Sequence, residues 1–150
     1  MNKMSENSDD LGFDLVDFMP YLLNQAAEAT SIEFQHFYKA RYGMLRTEWR
    51  IVFHLGRYGA MTAKEICNRT NMHKTKISRG VGALESKRYL KREIDTSDRR
   101  LEKLSLTPQG ARVFGELNKA AQDFNADFAR LFSAEEGLIL RRCLKRIAGL

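Results

Sequence analysis

The chain has 150 residues, with 25 Lys and Arg against 19 Asp and Glu, so its formal net charge at pH 7 is +6. This length suits a single domain with a hydrophobic core of its own. No apolar run approaches the roughly 18 residues of a membrane-spanning helix, and residues 1–10 form a polar tail without the apolar stretch of a signal peptide. We therefore expect a cytoplasmic protein without a membrane partner. Cys67 and Cys143 are isolated in the sequence, and we expect both to be buried thiols.

The positive charge is concentrated in one part of the chain. Residues 62–103 contain 12 basic and 6 acidic residues, a surplus equal to that of the whole chain, whereas residues 1–61 contain 6 basic and 8 acidic residues. A local excess of this kind favours a polyanionic partner, and nucleic acid is the leading candidate.

Residues 11–45 form a predicted N-terminal helical region, in which Pro20 marks a break or a helix start and Leu15 and Phe18 are assigned to a dimer interface. Another helix is predicted to begin at Thr47. The aromatic residues here either pack only in the helix and dimer core, or wall a small-molecule pocket. Because arginine suits a carboxylate, the pocket's expected ligand is an aromatic acid or its thioester. The candidate ligand-binding residues are Phe34, His36, Phe37, Tyr38, Arg46, Trp49 and Arg50.

A helix–turn–helix is predicted from Thr62 onward. Thr62 and Glu65 have the spacing of a capping box, which starts a helix, and Asn71 suits the left-handed conformation of a tight turn. The second helix begins near His73, and Ile77, Val81 and Leu84 form its buried stripe. The opposite face carries cations and hydroxyls that can reach phosphates or base edges. These candidate DNA-binding residues are Lys74, Thr75, Lys76, Ser78 and Arg79.

A charged β-hairpin follows this helix. Residues 90–94 alternate as a strand does, residues 95–98 are rich in turn formers, and a second strand returns through Leu104 and Leu106. The tip presents Asp98, Arg99 and Arg100, and an arginine on such a ribbon can enter a narrow minor groove. Asp98 is expected to orient a neighbouring arginine. The alternative is an ordinary surface hairpin with a weak ion pair.

Two C-terminal helices are predicted, beginning after Thr107 and Ser133. The first has an apolar seam in steps of three and four, which is typical of helix pairing, and the second has one apolar face. Such surface is either buried within one subunit or buried in a dimer, and we favour the dimer. The assigned dimerisation residues are Phe114, Leu117, Phe124, Phe128, Leu131, Leu140, Leu144 and Ile147.

Over roughly residues 44–114 the chain resembles the multiple-antibiotic-resistance regulator (MarR) family of bacterial winged helix-turn-helix transcription regulators. The matching segments are TAKEI at 62–66, KTKISR at 74–79, LE at 84–85, YL at 89–90, DRR at 98–100 and LSLTPQG at 104–110. The last two carry the family's D-x-R and L-T-x-x-G signature. Gly80 and Gly82 are unusual in the recognition helix, and the absence of cysteine from the first helices argues against a thiol-oxidation switch.

The resemblance implies a mainly α fold with a small β-hairpin wing. It also implies a homodimeric repressor on the bacterial nucleoid that binds a pseudo-palindromic operator in double-stranded DNA and is released by a small effector. Arg100 would enter the minor groove while residues 74–79 address the major groove. The expected organisation is one domain, with N-terminal dimerisation and ligand-pocket helices at 11–45, the winged helix-turn-helix at 46–106 and C-terminal dimerisation helices at 107–150.

Other functional classes remain as alternatives. The same basic segment would suit a non-specific architectural DNA-binding protein. A metal-responsive regulator is a further alternative, although His36, His54 and His73 are scattered and lack a metal-ligand spacing. The sequence contains no Gly-rich phosphate loop and no nucleophile elbow, so we expect no enzymatic activity, no cofactor and no metal.

Overall fold

A computed structural model describes residues 12–150 of the chain. Its elements are a 3₁₀ turn at Leu15–Asp17, α1 at Met19–Tyr42, α2 at Arg46–Tyr58, α3 at Ala63–Thr70, α4 at Lys74–Ser86, β1 at Leu90–Ile94, β2 at Glu102–Leu106, α5 at Pro108–Ala129 and α6 at Ala134–Ala148. The two strands form one antiparallel hairpin. The predicted fold class, mainly helical with a small wing, is confirmed. None of the helices in the described range is long and apolar enough to cross a membrane.

The chain divides into two compact units after Phe37, a residue of α1. In the first unit, the Asp14 carboxylate accepts a 3.3 Å hydrogen bond from the Val16 amide and so caps the 3₁₀ turn. Pro20 occupies the first turn of α1, where the missing N–H costs nothing, and it therefore marks a helix start as predicted. Leu15 and Phe18 are 53% and 43% exposed.

The core of the second unit, residues 38–150, is built where α2, α4, α5 and the hairpin meet. Its completely buried side chains come from every one of these elements and are apolar, so their removal from water provides the main stabilisation. They include Ile51 and Val52 from α2, Ile77 and Leu84 from α4, Leu104 from β2 and Leu117 from α5. The predicted stripe of Ile77, Val81 and Leu84 is confirmed as buried.

Gly80 is explained by the packing of α4 against α2. A Cβ atom at this position would lie 2.7 Å from Ile51 Cδ1 and 3.2 Å from Thr47 Cγ2. The absence of a side chain therefore allows close approach of the two helices, although an interior glycine costs about 1 kcal/mol of helix propensity. Nothing lies within 4 Å of a Cβ placed on Gly82, and nothing in the structure explains that residue.

The helix starts predicted at Thr62, Thr107 and Ser133 are confirmed. Each was predictable because its cap involves only residues close together in the sequence. Thr62 Oγ1 accepts from the Glu65 amide at 3.2 Å, and Glu65 Oε2 accepts from the Thr62 amide at 2.7 Å. Ser133 and Glu136 repeat this capping box at α6. Thr107 caps α5 with Pro108 behind it, and Asn71 adopts the left-handed conformation at φ 53°.

Several residues of the C-terminal helices lie elsewhere than predicted. Leu117 is 0% exposed within a single chain, so it belongs to the core of the subunit and not to a dimer seam. The Phe114 ring packs on Phe53 of α2, with ring centroids 5.6 Å apart, and is likewise committed to its own chain. Leu131 lies in the turn after α5, which ends two residues earlier. The prediction that both thiols are buried is wrong for Cys143, which is exposed on α6. Cys67 of α3 is half-buried.

Candidate nucleic-acid interface

Helix α4, the candidate recognition helix, has one buried face and one polar face. Its buried face packs on α2 and α3, and its N-terminus is capped by His73, whose Nδ1 accepts a 3.2 Å hydrogen bond from the Thr75 amide. A lone pair on an aromatic nitrogen thus replaces the usual hydroxyl or carboxylate cap. The polar face is exposed throughout, and it contains Lys74, Thr75, Lys76, Ser78 and Arg79.

The wing is anchored to the helix–turn–helix by backbone hydrogen bonds. Leu90 pairs with Leu106 and Ile94 with Glu102 along the hairpin. The backbone of Met61, just before α3, exchanges two hydrogen bonds with Leu104, at 2.8 and 3.1 Å. This bridge, together with the buried Leu90 and Leu104, holds the base of the wing against the lobe that contains α3.

Aspartate side chains shape the wing tip. Asp98 Oδ1 accepts a 3.0 Å hydrogen bond from the backbone amide of Arg100, so it orients the Arg100 backbone. Asp95 Oδ1 accepts from the hydroxyl of Ser97 at 2.7 Å and from its amide at 2.9 Å. These bonds, the hydroxyl bond first, lower the pKa of the Asp95 carboxyl to about 2, with a smaller contribution from Lys103.

The cations of this region fall into two groups. Those of the hairpin stem are paired: Lys91 Nζ lies 2.6 Å from Glu93 Oε1, Arg92 Nε lies 2.7 Å from Glu85 Oε2, and Lys103 Nζ lies 3.4 Å from Asp95 Oδ2. Those of the helix face and the tip have no carboxylate partner among residues 12–150. This second group contains Lys74, Lys76, Arg79, Arg99 and Arg100.

A row of aromatic rings occupies the region of the predicted ligand pocket within the second unit. Tyr38 stacks on Trp49 at 5.8 Å, and Trp49 contacts Phe53 edge-on at 5.6 Å. Tyr38 is 1% exposed, and burial raises the pKa of its phenol, which a hydrogen bond with Arg46 opposes. Tyr38 and Trp49 therefore contribute to packing, as the core interpretation requires. Arg50 is half-buried on the same helix.

The other proposed ligand residues lie in the first unit. Phe34 and Phe37 stack with ring centroids 6.1 Å apart, and His36 is exposed. Their role in ligand binding stays a prediction, as it does for Tyr38, Arg46, Trp49 and Arg50. Within the described part of the chain, no group of three or more His, Cys, Asp or Glu is placed to hold a metal ion.

A buried carboxylate that the sequence did not single out helps to position the recognition helix. Glu48 on α2 is 5% exposed, and its Oε2 accepts a 2.7 Å hydrogen bond from the Leu45 amide. The same oxygen lies 3.4 Å from Nζ of Lys87, which follows α4. Glu48 lies in the first turn of α2, where its carboxylate accepts from the backbone amide before the helix. Its pairing with Lys87, 39 positions away, leaves no local pattern in the sequence.

Apolar surface remains exposed on the C-terminal helices. None of the residues of α6 is buried within the chain, and Leu144 and Ile147 are 42% and 61% exposed. Phe124, Phe128 and Leu140 are partly exposed. A cleft of about 230 Å³ between α5 and α6 is lined in part by Phe128, Leu140 and Leu144.

Comparisons with known proteins find a family model that matches part of the chain and one curated relative. Residues 42–101 match the model of the MarR family. A Bacillus subtilis (strain 168) protein named as the uncharacterized HTH-type transcriptional regulator YwaE is 24% identical over 126 residues, which span 84% of this chain and 74% of the relative.

Solved structures share the fold at low sequence identity. A MarR/EmrR family regulator from Acinetobacter sp. ADP1 is similar with a TM-score of 0.81, 22% identity, and 91% and 96% of the two chains covered. BpsR of Bordetella bronchiseptica, whose DNA binding is regulated by 6-hydroxynicotinic acid, is similar with a TM-score of 0.81 and 17% identity. The match covers 92% of this chain and 98% of BpsR. PcaV of Streptomyces coelicolor, solved with its natural ligand, is similar with a TM-score of 0.77 and 19% identity. The match covers 91% of this chain and 96% of PcaV.

The matched family and these structural neighbours are transcriptional regulators and not enzymes. The family match covers the helix–turn–helix and the first strand of the hairpin, and the shared winged-helix fold extends over most of the chain. On this evidence the chain is similar to the MarR family over residues 42–101, and it shares the winged-helix fold of the solved regulators.

Proposed function

We propose that this protein is a transcriptional regulator of the MarR type, a homodimeric repressor that reads a pseudo-palindromic DNA operator through α4 and the wing. The observation that carries the proposal is the set of five exposed cations, on α4 and at the wing tip, that have no carboxylate partner within residues 12–150. Neighbouring cations of the hairpin stem are paired. Unpaired cations on one lobe are available to displace counterions from phosphates, which provides sequence-independent affinity.

Different parts of the surface would have different roles. Lys74 and Lys76 at the start of α4 would contact phosphates or base edges, together with the hydroxyls of Thr75 and Ser78. Arg79 has the donor geometry that reads guanine in the major groove. Arg100 would enter the adjacent minor groove while Asp98 holds its backbone.

Dimerisation would place two such lobes on one operator. The exposed apolar side chains of α6 and the partly exposed Phe124 and Phe128 of α5 support a partner surface, because exposed apolar faces of this kind mark interaction sites. Leu15 and Phe18 of the first unit are both exposed, and they remain assigned to the proposed dimer interface. Two equivalent recognition helices on a two-fold axis would read half-sites about 10 bp apart.

A small effector would release the repressor from DNA. The solved relatives BpsR and PcaV support this type of control through 6-hydroxynicotinic acid and a natural ligand, respectively. For this chain we propose an aromatic acid or its thioester as the ligand. Binding would favour a state that cannot span both half-sites. A panel of aromatic acids should change Trp49 fluorescence and release DNA, and a panel without either effect would contradict this ligand class.

Selection of bound fragments from the native genome, followed by footprinting, tests the DNA-reading function. We expect enrichment of one sequence with two protected half-sites in a two-fold arrangement. An architectural protein would instead retain fragments without sequence preference, and that result would contradict the proposal.

A further inference from the structure

Helix α4 is held against the first turns of α2 at two points. In the middle of α4, Gly80 lacks the side chain that would meet Ile51 and Thr47. Just beyond the C-terminal end of α4, Nζ of Lys87 lies 3.4 Å from Oε2 of Glu48. Glu48 is the one charged residue that is buried within residues 12–150. Because a buried charge that loses its partner costs free energy, this ion pair fixes where α4 ends.

The Glu48 carboxylate joins two corners of the chain. Its Oε2 accepts a 2.7 Å hydrogen bond from the amide of Leu45, which lies between α1 and α2. The same oxygen faces the ammonium group of Lys87, which lies between α4 and β1. Since the carboxylate is buried, water does not readily replace either contact. The position of the second corner is therefore tied to the position of the first.

The turn that starts at Lys87 carries this position on to the wing. Arg88 has a left-handed φ of 62°, and its carbonyl accepts a 2.7 Å hydrogen bond from Oγ1 of Thr107. The Tyr89 amide donates to the Leu84 carbonyl at 3.0 Å, and the Tyr89 carbonyl accepts from the Thr107 amide at 3.0 Å. Strand β1 begins directly after Tyr89. The direction in which the wing leaves α4 thus follows from the position of Lys87.

We propose that Glu48 is a positioning residue for sequence reading: through Lys87, its buried carboxylate sets the angle at which α4 and the wing meet DNA. Glu48 is 5% exposed, too buried to touch DNA itself. Hydrogen bonds to base edges require closely placed donors, whereas the attraction between cations and phosphates tolerates displacement. Loss of the link therefore lowers affinity for the operator but not for unrelated DNA. The proposal rests on the proposed DNA-reading function.

Two variants break the link with little change of shape. Glu48→Gln keeps an oxygen that can accept from the Leu45 amide but loses the negative charge, and Lys87→Met keeps an unbranched side chain but loses the positive charge. Anisotropy titrations compare a labelled duplex from the genomic selection with a scrambled duplex of equal length. We expect each variant to bind the selected duplex about five- to a hundred-fold more weakly, the scale of one lost base contact. Affinity for the scrambled duplex should stay within about two-fold of the wild type, because phosphate contacts persist.

Further variants separate positioning from stability and from direct contact. Lys87→Arg retains a cation beside Glu48 and should recover most of the preference for the selected duplex. The double variant should lose no more than the more affected single variant, because both substitutions break one link. Asp123→Asn, which removes an exposed carboxylate paired with Lys119, should leave the preference unchanged. Glu48→Gln leaves no buried charge unpaired, so it remains decisive if Lys87→Met does not fold.

Two results with DNA would overturn the proposal. The first is unchanged affinity of Glu48→Gln for the selected duplex. The second is an equal loss on both duplexes, since a smaller folded fraction or a lost phosphate contact acts on any sequence.

The link itself can be tested without DNA by amide NMR. In Lys87→Met, the Leu45 amide resonance should move, because the carboxylate that accepts its hydrogen bond loses its cation. Asp123→Asn should not move it. An unmoved Leu45 amide in Lys87→Met would overturn the link whether or not the protein reads DNA. A wild type without preference for the selected duplex would instead refute the proposed function, while the NMR measurement would still judge the link.

Discussion

At the scale of single residues, a short-range hydrogen bond fixes the backbone of Arg100, the arginine that we propose enters the minor groove. Asp98 would repel phosphate if its carboxylate faced the duplex. Its acceptor bond from the Arg100 amide instead uses the carboxylate to hold the turn from which Arg100 projects. An Asx turn of this kind joins a side chain to the backbone two residues on, so it depends on the local sequence alone.

Replacement of Arg100 by alanine should weaken operator binding between about three-fold and about a hundred-fold, because one minor-groove cation is lost. The slope of affinity against salt concentration should also become shallower by about one unit. Anisotropy titrations at several salt concentrations measure both quantities. Lys91→Ala is the matched control on the hairpin stem, since Lys91 is already paired with Glu93. Unchanged affinity in Arg100→Ala would refute the minor-groove role.

The Asp95 turn predicts a pH dependence. The folded pKa of Asp95, about 2, lies below the ordinary value of about 3.9, so the ionised carboxylate stabilises the turn. This stabilisation is complete above about pH 4 and is lost as the pH falls towards 2. Ser97→Ala removes the hydroxyl bond and should raise the Asp95 pKa in a carboxyl NMR titration. Thr96→Ala should not change the pKa, and an unshifted Asp95 in Ser97→Ala would disprove the assigned cause.

At the scale of elements, α5 contains two glycines with opposite environments. A Cβ on Gly110 would overlap the carbonyl oxygen of Tyr89, a backbone atom that cannot move aside easily. A Cβ on Gly115 would meet nothing within 4 Å. Gly110 thus allows α5 to begin close to the segment that precedes the wing, whereas Gly115 only weakens the helix.

Gly110→Ala should therefore lower the free energy of unfolding by about 1–3 kcal/mol through overpacking. Gly115→Ala should raise it by up to about 1 kcal/mol through helix propensity. Urea denaturation of both variants and the wild type measures the difference. If Gly110→Ala were as stable as Gly115→Ala, the close approach of α5 to Tyr89 would be wrong.

How much of this fold the sequence predicts depends on the range of each interaction. The caps at Thr62, Thr107 and Ser133 were predictable because each involves residues three positions apart. The seam on α5 was predicted as one surface, since a helical stripe looks the same whichever chain covers it. The structure divides that stripe, with Leu117 in the subunit core and Phe128 partly exposed.

The candidate site follows the same rule. The buried stripe on the opposite face of α4 made the exposure of its polar face predictable, that is, of Lys74, Thr75, Lys76, Ser78 and Arg79. The pairing of Glu48 with Lys87 and the fit of Gly80 against Ile51 could not, because they join residues far apart in the chain. The cleft between α3, α4 and the hairpin could not be predicted either, because its lining comes from two helices and two strands.

At the scale of the whole molecule, the exposed face of α6 predicts the oligomeric state. Leu144→Glu together with Ile147→Glu should convert the proposed dimer to a monomer, because charges would replace apolar contacts across the interface. Neither residue is buried in its own chain, so circular dichroism should show an intact fold. Light scattering after size-exclusion chromatography measures the mass. Arg142→Ala, exposed on the same helix, is the control, and a double variant that stays dimeric would exclude this face from the interface.

The central claim is that α4 and the wing read a particular DNA sequence. The most direct measurement is the ratio of affinities for the selected genomic duplex and a scrambled duplex of equal length at physiological salt. A sequence reader should show a ratio of at least about 10³. A ratio near one would contradict the account and leave a protein held to DNA by its phosphates alone.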